Sequence, residues 1–277
     1  MEKTEQNTEQ NTEQKIEAPL NAKEELAEFL KTALIAVFLA VLIRTFLFEP
    51  FNIPSGSMKP SLLVGDYLFV NKPAYGYSRY SFPFGLAPLQ GRVWDKEPAR
   101  GDVIVFKLPT QPNVDYIKRL VALPGETVQV LDGRLFINGE IVPRESVGIK
   151  EGYGPEGEGE AVYHYIETLP GGVTHEIYEE SDSDVLDNTQ LFEVPEGHYF
   201  LMGDNRDNST DSRVQNVVGF VPYENIVGRA DFLFFSTNGT AGLFEFWKWP
   251  WTLRYERFFN DIDPVRLEPL KEELAEQ

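Results

Sequence analysis

A serine and a lysine are the residues in this chain whose types best suit nucleophilic catalysis. Ser57 lies in the segment Pro54–Met58, which reads PSGSM, where small neighbours allow a tight turn that presents a hydroxyl to a cleft. A serine needs a base to act as a nucleophile. The three histidines, His164, His175 and His198, show no metal-ligand spacing, and the chain has no GxSxG elbow. A Ser-His-Asp triad is therefore disfavoured, and a plain Ser/Gly turn is the alternative interpretation.

A neutral lysine is the other base that can activate a serine, and Lys118 is the candidate. Lysine has an ordinary pKa of about 10.4, so it must be desolvated to be neutral near pH 7. On a strand, period-2 alternation places Tyr116, Lys118 and Leu120 on one face, which would give the amine an apolar flank. An exposed strand lysine is the alternative, and for a lone lysine it is the commoner one.

An eleven-residue run of polar character, residues 203–213, follows the apolar segment Tyr199–Met202. Its ionisable groups have both signs and are Asp204, Arg206, Asp207, Asp211 and Arg213. Alternating signs directly after a buried strand predict internal ion pairs that fix a loop. A polar surface turn is the alternative.

Strands and turns are the elements predicted to hold these residues. Short β-branched and aromatic runs predict strands at 66–70, 102–107, 127–131 and 197–202, and Asp132-Gly133 predicts a hairpin turn. No amphipathic helical stretch of 12 residues occurs between residues 50 and 250. The sequence therefore predicts a mostly β domain with many non-local pairings.

Residues 29–48 form an apolar run whose two charges, Lys31 and Arg44, lie near its ends. A helix rising about 1.5 Å per residue would cross a hydrocarbon core of roughly 30 Å over this length. We interpret the run as a single membrane anchor. A cleaved signal peptide fits less well because an acidic tail precedes the run, and a buried core helix is seldom so uniformly apolar. The lysines around the span lean weakly toward a cytoplasmic N-terminus.

The formal net charge of −19 is unevenly distributed. Residues 1–28 carry −5, residues 140–193 carry −12 and residues 261–277 carry −4, whereas the remainder carries +2. A chain this acidic is a poor nucleic-acid binder, since that affinity comes from neutralising phosphates. Its 277 residues, 42% of them hydrophobic, suffice for a real core. The lack of cysteine excludes a disulfide scaffold, a thiol nucleophile and a Cys-ligated zinc site.

The composition predicts a domain order of tail, anchor, interrupted β domain and tail. Residues 1–28 carry a TEQN repeat and are predicted to be a disordered acidic tail. Residues 140–193 are interpreted as an acidic, solvated inserted β subdomain. The catalytic β domain would then comprise 49–139 and 194–260, and residues 261–277 would be an acidic C-terminal tail.

Two further features leave alternatives open. The spacing of Asp182, Asp184 and Asp187 lacks the glycine and distal glutamate of an EF-hand loop, so a solvated charge run is favoured over a calcium site. An aromatic cluster near the C-terminus fits either the membrane interface or ordinary packing. Its members are Phe244, Phe246, Trp247, Trp249, Trp251, Tyr255, Phe258 and Phe259.

The anchor and the chemistry-bearing segments together resemble the bacterial type I signal peptidases, or leader peptidases. The pattern of that family is an anchor followed by PSGSM, G-D-[IV]-[IV]-V-F, Y-I-K-R-x-[IV]-x-L-P-G and G-D-N-R-x-N-S-x-D-S-R. The motifs stand here in the same order, at Pro54–Met58, Gly101–Phe106, Tyr116–Gly125 and Gly203–Arg213. The full set is highly specific, whereas any one motif alone is weak. The resemblance covers roughly residues 29–260.

The resemblance implies a role for each matching residue. Ser57 would be the nucleophile and Lys118 the general base, with the Ser55 hydroxyl and the Ser57 backbone N–H forming the oxyanion hole. Ser209 would hydrogen-bond the lysine amine and orient it, and Asp211 would support the site through an ion pair with a neighbouring arginine. The remaining supporting residues would be Arg213, Asp204 and Arg206. No metal and no cofactor are implied.

The resemblance also implies shallow apolar pockets that accept small residues at the −3 and −1 positions of a substrate, the A-x-A pattern. The implied lining residues are Phe51, Ile53, Pro54, Met58, Leu62, Val105, Tyr116 and Ile117. An extended substrate would dock beside Val103–Phe106 or beside Asn52–Ser55.

The implied function is a membrane-anchored endopeptidase that removes signal peptides from exported preproteins. The implied location is the bacterial inner membrane, with one span, the N-terminus in the cytoplasm and the catalytic domain on the outer, periplasmic side. Signal peptides and the bilayer would be its partners, with the secretion machinery nearby and no nucleic acid. Two alternatives are a serine–lysine protease of another purpose, such as a self-cleaving repressor, and a β-rich membrane adaptor without catalysis. The first would need a DNA-binding helix-turn-helix, and the acidic N-terminus offers none.

Overall fold

The computed structural model describes residues 22–82, 85, 88–150 and 161–266. The chain forms two compact units, Met1–Val41 and Leu42–Gln277. Most of the predicted tail at 1–28 and the end of the predicted C-terminal tail after residue 266 lie outside the described residues.

Most of the predicted span at 29–48 lies in a single helix, α1, which runs from Ala22 to Phe46, whereas Phe48 at the end of the predicted span is the first residue of a strand. The helix begins earlier than the apolar run because Glu24 and Glu25 occupy its first turn, where carboxylates interact favourably with the helix dipole. Residues 22–28 are therefore helical rather than part of a disordered tail. With a mean hydropathy of 2.3 over 18 residues, α1 is the one helix of the described chain that is long and apolar enough to cross a membrane.

Strands dominate the rest of the chain, which confirms the predicted mostly β fold. The strands that form the main sheet are β1 (Phe48–Asn52), β2 (Asp66–Asn71), β5 (Val103–Leu108), β6 (Gln111–Ala122), β14 (His198–Met202), β15 (Val221–Pro222) and β16 (Ile226–Ser236). The others are β3 (Tyr77–Ser78), β4 (Arg92–Val93), β7 (Thr127–Leu131), β8 (Arg134–Ile137), β9 (Glu140–Ile141), β10 (Arg144–Lys150), β11 (Val162–Leu169), β12 (Val173–Glu179), β13 (Phe192–Glu193) and β17 (Val265–Arg266). A short helix, α2 (Trp249–Thr252), follows β16.

The main sheet is antiparallel and has the order β1-β2-β16-β5-β6-β14-β15. Its strands are the β-branched and aromatic runs that the sequence predicts, and alternate side chains of β2 are fully buried. Lys118 of β6 lies opposite Ile104 of β5, and Leu120 lies opposite Leu201 of β14. The catalytic lysine candidate therefore lies on an inner strand of the sheet. On the side of β6 that faces β14, it directly precedes Arg119, where the pairing with β14 begins.

The acidic segment 140–193 does not fold as a single solvated insertion. Its two ends, β9 and β13, are strands of a small sheet of order β13-β7-β8-β9. The described part of its middle forms, together with β17, a separate sheet of order β10-β11-β12-β17, which we call the acidic sheet. Strand β12 also contacts the loop after β14, since Tyr178 N donates to Asp204 O over 2.9 Å and Arg206 N donates to Tyr178 O over 2.9 Å. Buried Val173 and Ile177 give β12 an apolar face that the overall charge of the segment concealed.

The start of the predicted C-terminal tail is likewise part of the fold. Strand β17 pairs with β12, and Ile262 N donates to Asp231 O over 2.9 Å. Gly101 explains part of this placement, because a Cβ there would lie 2.3 Å from Val173 and 3.2 Å from Pro264.

The C-terminal aromatic cluster is partly packed on the β-rich unit and partly exposed. The rings of Trp249 and Phe258 pack on Phe235, with centroid separations of 5.1 and 5.6 Å. The other members are mostly exposed, namely Phe244, Phe246, Trp247, Trp251, Tyr255 and Phe259.

Candidate active site

The turn that carries Ser57 follows β1 and is fixed by hydrogen bonds from the loop after β14. Asn205 N donates to Ser57 O over 3.1 Å, and Asn205 Nδ2 donates to Gly56 O over 3.0 Å. Met58 is buried beneath the turn. The loop approaches so closely that a Cβ on Gly203 would lie 2.5 Å from Ser57 O and 2.1 Å from Ser209 Oγ, so only glycine fits at that position. The nucleophile candidate is thus held by residues far away in sequence.

Lys118 reaches Ser57 directly. Its Nζ lies 2.7 Å from Ser57 Oγ and donates to Ile117 O over 2.9 Å. The lysine is 3% exposed, and its ammonium group lies 5.3 Å from the centroid of the Tyr116 ring. The strand alternation that placed Tyr116 and Leu120 beside the lysine therefore gives it the predicted apolar flank.

Burial controls the protonation of this lysine. Desolvation lowers the pKa of Lys118 from 10.5 to about 8, with a smaller lowering from the charge of Arg213, while the charges of Asp211 and Asp204 act in the opposite direction. A substantial fraction of the amine is then neutral near pH 8, which is the form that can accept a proton from a hydroxyl.

Buried ion pairs fix the loop at 203–213. Arg119 makes a bidentate pair with Asp204, with N–O distances of 2.8 and 2.7 Å, and also donates to Gly101 O over 2.7 Å. Arg206 makes a bidentate pair with Glu167 of β11. These pairs attach the loop to the strand of the lysine on one side and to the acidic sheet on the other.

Asp211 and Arg213 form the ion pair that the resemblance implied. Arg213 Nε and Nη2 each lie 2.9 Å from an Asp211 oxygen, and Gly203 N donates to Asp211 Oδ2 over 3.0 Å. Burial alone would raise the pKa of Asp211, but the charge and hydrogen bonds of Arg213 and the Gly203 N–H hold it below its ordinary value. Asp211 is therefore an ionised carboxylate next to the lysine site.

Ser209 differs from its expected arrangement. The side chain is buried near Gly203, but no hydrogen bond joins its Oγ to Lys118 Nζ in the described chain. The amine instead contacts the Ser57 hydroxyl and the Ile117 carbonyl. The structure places Ser209 in the supporting loop without the contact that was predicted to orient the lysine.

Ser55 is exposed beside the nucleophile candidate. Its Oγ lies 3.4 Å from Ser57 Oγ. A hydroxyl at this distance can reach a group bonded to Ser57 Oγ after a small rotation about its own χ1 angle.

A groove lies next to this pair of serines and is lined by two extended segments. One wall is residues 51–54 and the other is residues 115–117. Five of the residues predicted to contact substrate line it, namely Phe51, Ile53, Pro54, Tyr116 and Ile117. Asn52, the first residue of the predicted docking segment Asn52–Ser55, lines it as well, and so does Asp115, which was not predicted.

Three other predicted pocket residues are not among those that line this groove. Met58, Leu62 and Val105 are at most 1% exposed and belong to the apolar core beneath the groove. A short apolar side chain next to an active site packs inward or lines a pocket according to its strand face and neighbours, which these motifs alone do not specify.

The strand Val103–Phe106 is also excluded as an edge for substrate. Strand β5 lies between β16 and β6, which pair with both of its sides. By contrast, β1 is at the end of the main sheet, and β14 pairs with β6 only from Arg119 to Ala122. Among the strands that the structure describes, the unpaired edges next to the groove therefore belong to β1 and to the first part of β6.

Comparison with known proteins gives a consistent family assignment. The family model described as signal peptidase, peptidase S26, matches residues 26–235. Signal peptidase I of Rickettsia conorii is 46% identical over 210 residues, covering 73% of this chain and 77% of the relative. Signal peptidase I of Rickettsia canadensis is 44% identical over 218 residues, covering 76% of this chain and 80% of the relative. A crystal structure of a signal peptidase I from Enterococcus faecalis V583 is 30% identical, covers 48% of this chain and 97% of its own, and aligns with a TM-score of 0.29.

Proposed function

This chain belongs to the signal peptidase family, peptidase S26, and is a protease that removes signal peptides from preproteins; from that premise we propose that Ser57 is its nucleophile and Lys118 its general base. One observation carries the assignment of the dyad. A buried lysine, with a pKa lowered to about 8, has its Nζ 2.7 Å from Ser57 Oγ. That distance lies within hydrogen-bond reach, which a proton transfer requires.

The chemistry follows from this contact. Neutral Lys118 takes the Ser57 hydroxyl proton while Oγ attacks the carbonyl carbon of the scissile bond. The C–N bond then breaks, and protonated Lys118 gives the proton to the leaving amine. A water molecule attacks the resulting ester with Lys118 again as base, which releases the signal peptide and restores Ser57. The mechanism assigns these proton transfers to this one amine.

Two hydrogen-bond donors are available for the negative oxygen of the tetrahedral intermediate. They are the Ser57 backbone N–H and the Ser55 hydroxyl, which lies 3.4 Å from the nucleophile oxygen. A donor aimed at the developing charge typically contributes about 2.7–4 kcal/mol in acyl transfer. Buried ion pairs hold the loop behind the dyad and affect catalysis through the position of that loop. The residues of the loop that form them are Asp204, Arg206, Asp211 and Arg213.

The substrate is proposed to lie as an extended strand between residues 51–54 and 115–117. Both walls have free backbone edges, which suit strand addition. Ile53 and Ile117 line the groove with branched side chains, and we propose that these admit small residues and exclude bulky ones. This arrangement matches the small-x-small pattern of signal-peptide cleavage sites.

Changing the residue at −1 of a preprotein from Ala to Leu should reduce kcat/KM by at least about 100-fold, because the bulkier side chain cannot enter the groove beside Ser57. The rates of purified chain with paired substrates, followed by gel shift or peptide chromatography, measure this. The same Ala→Leu change at −2 serves as a control and should have a small effect. Equal rates for Ala and Leu at −1 would contradict the proposed groove.

The apolar helix α1 makes this a membrane-anchored protease, and we propose an orientation for it. The N-terminus would be cytoplasmic and the β-rich unit would lie on the outer side of the bacterial inner membrane. Preproteins emerge on that side, and tethering raises the effective concentration of enzyme near substrates held in the bilayer by their own apolar segments.

The lack of cysteine allows a direct test of this orientation. A single cysteine at Val185, which is 87% exposed, should react with a membrane-impermeant maleimide in intact spheroplasts. A cysteine at Thr4 should react only after lysis. The reverse labelling pattern would refute the proposed topology.

A further inference from the structure

Three carboxylates meet where the acidic sheet contacts the loop at 203–213. They are Glu179 at the end of β12, Asp187 in the following turn and Asp207 in the loop. One oxygen from each carboxylate lies within 4.8 Å of the others. The cluster is separate from Ser57 and Lys118, and the mechanism proposed above makes no use of it.

These carboxylates are not an exposed charge run. Glu179 is 2% exposed and Asp187 is 0% exposed. Glu179 Oε2, Asp187 Oδ1 and Asp207 Oδ1 are each buried and accept no hydrogen bond from any residue that the structure describes. A buried carboxylate oxygen without a partner costs free energy, so three at one place indicate a ligand that the protein side chains do not supply.

The second oxygens of Asp207 and Asp187 are held by the backbone. Asp207 Oδ2 accepts from Glu180 N over 2.6 Å and from Ser181 N over 3.1 Å. Asp187 Oδ2 accepts from Asp184 N over 2.6 Å. These bonds orient two carboxylates while leaving their second oxygens available.

The neighbouring arginines are paired with other acids. Arg206 is bidentate with Glu167, and Arg144 lies 2.6 Å from Asp182. Arg213 is paired with Asp211. The negative charge of the cluster is therefore incompletely balanced.

We propose that Glu179, Asp187 and Asp207 bind a hard divalent cation, and that calcium fits best. Calcium accepts all-oxygen ligand sets at about 2.3–2.6 Å with flexible geometry, so oxygens up to about 5 Å apart can share one ion. Magnesium demands near-ideal octahedral geometry at about 2.0–2.1 Å, which a site assembled from three separate segments satisfies less readily.

Such an ion would fasten the catalytic loop to the acidic sheet. Asp207 lies beside Arg206 in sequence, and Asp211 follows in the same loop. Strand β12 and the turn that follows it contribute the other two ligands, so the cation would join chain segments that meet only through folding. The ion would have a structural role and take no part in the chemistry at Ser57.

Thermal unfolding of the full chain in detergent tests the proposal, with calcium chloride or magnesium chloride added after treatment with a chelator. Millimolar calcium should raise the Tm by roughly 5 °C, because a ligand that binds only the folded state stabilises it by mass action. Isothermal titration with calcium alone should show one site per chain. No Tm change and no binding with either ion would overturn the proposal, and would leave a proton shared among the carboxylates as the balancing charge.

Charge-neutralising variants separate this site from general ionic effects. Glu179→Gln and Asp187→Asn should each lose most of the calcium-dependent Tm increment, whatever their effect on the Tm without the ion. Glu193→Gln makes the same change at an exposed position and should keep the full increment. An equal increment in all three variants would show that calcium acts elsewhere on this acidic protein and would refute the proposed site.

Discussion

Replacing Ser57 by Ala, or Lys118 by Met, should reduce kcat for preprotein cleavage by roughly 10⁴-fold or more. The first change removes the attacking oxygen. The second removes the amine that lies 2.7 Å from that oxygen while keeping an unbranched side chain of similar length in the buried site. Because the two groups act as a unit, the double variant should be no slower than either single one. Single-turnover cleavage of a preprotein with Ala at −1 measures the loss.

Matched variants distinguish a catalytic loss from a folding defect. Ser146→Ala and Lys96→Met make the same chemical changes at exposed positions and should keep normal rates. Circular dichroism spectra of all four proteins should coincide. If either Ser57→Ala or Lys118→Met retained full activity, the dyad assignment would be wrong, and a membrane adaptor without catalysis would be favoured if both did.

The Lys118→Met variant should be more stable than the parent chain near neutral pH. The lysine has a pKa of about 8 in the folded protein against 10.5 ordinarily, so the unfolded chain binds more protons between these values. The free energy of unfolding of the parent therefore rises as the pH rises from 8 to 10.5, and is lower by about 3 kcal/mol at pH 7 than above 10.5. Methionine has no titrating group, so the Lys118→Met variant lacks this loss of stability at neutral pH.

Urea unfolding of both proteins at pH 7 and pH 10.5 isolates the effect. Other titrating groups are common to the two chains, so their contributions cancel in the difference between them. The stability advantage of Lys118→Met should be roughly 3 kcal/mol larger at pH 7 than at pH 10.5. If the stability difference between Lys118→Met and the parent chain did not depend on pH, Lys118 would not be desolvated, contrary to what its 3% exposure indicates.

The sequence predicted the two residues of the proposed dyad, which the structure brings within 2.7 Å of each other, better than it predicted the contacts that support them. Ser57 and Lys118 could be chosen because few side chains can serve as a nucleophile and its base, and because strand alternation indicates an apolar flank. Arg119 was not recognised as the partner of Asp204, although it adjoins the lysine in sequence. Any of the many arginines could pair with that aspartate, and the choice depends on the alignment of β6 with β14.

Asn205 and Glu167 show a second kind of limit. Asn205 fixes the Ser57 turn through Gly56 and Ser57, a contact across roughly 150 residues that a polar loop residue does not reveal by itself. Glu167 belongs to a segment whose overall charge indicated solvation, yet it is 1% exposed because it pairs with Arg206. Net charge describes a segment, whereas burial is decided residue by residue.

The groove shows why apolar pocket residues are hard to assign from a motif. Ile53 and Ile117 line it, whereas Met58 and Val105 do not, although Ile53, Met58 and Val105 belong to one core cluster and Ile117 packs against it. Strand order decides the matter, since β5 is covered on both sides and β1 is not. Sheet order depends on long-range pairing, which local patterns predict poorly.

The pH dependence of kcat/KM tests most directly whether a buried neutral lysine activates Ser57. It should be measured from pH 5.5 to 10 on a peptide without titrating groups near its cleavage site, so that the profile reports the free enzyme. Lys118 must lose its proton to act as base, so kcat/KM should rise about tenfold per pH unit and level off above a midpoint near 8. A midpoint near 10.5, or a rate that does not vary with pH in this range, would contradict the mechanism.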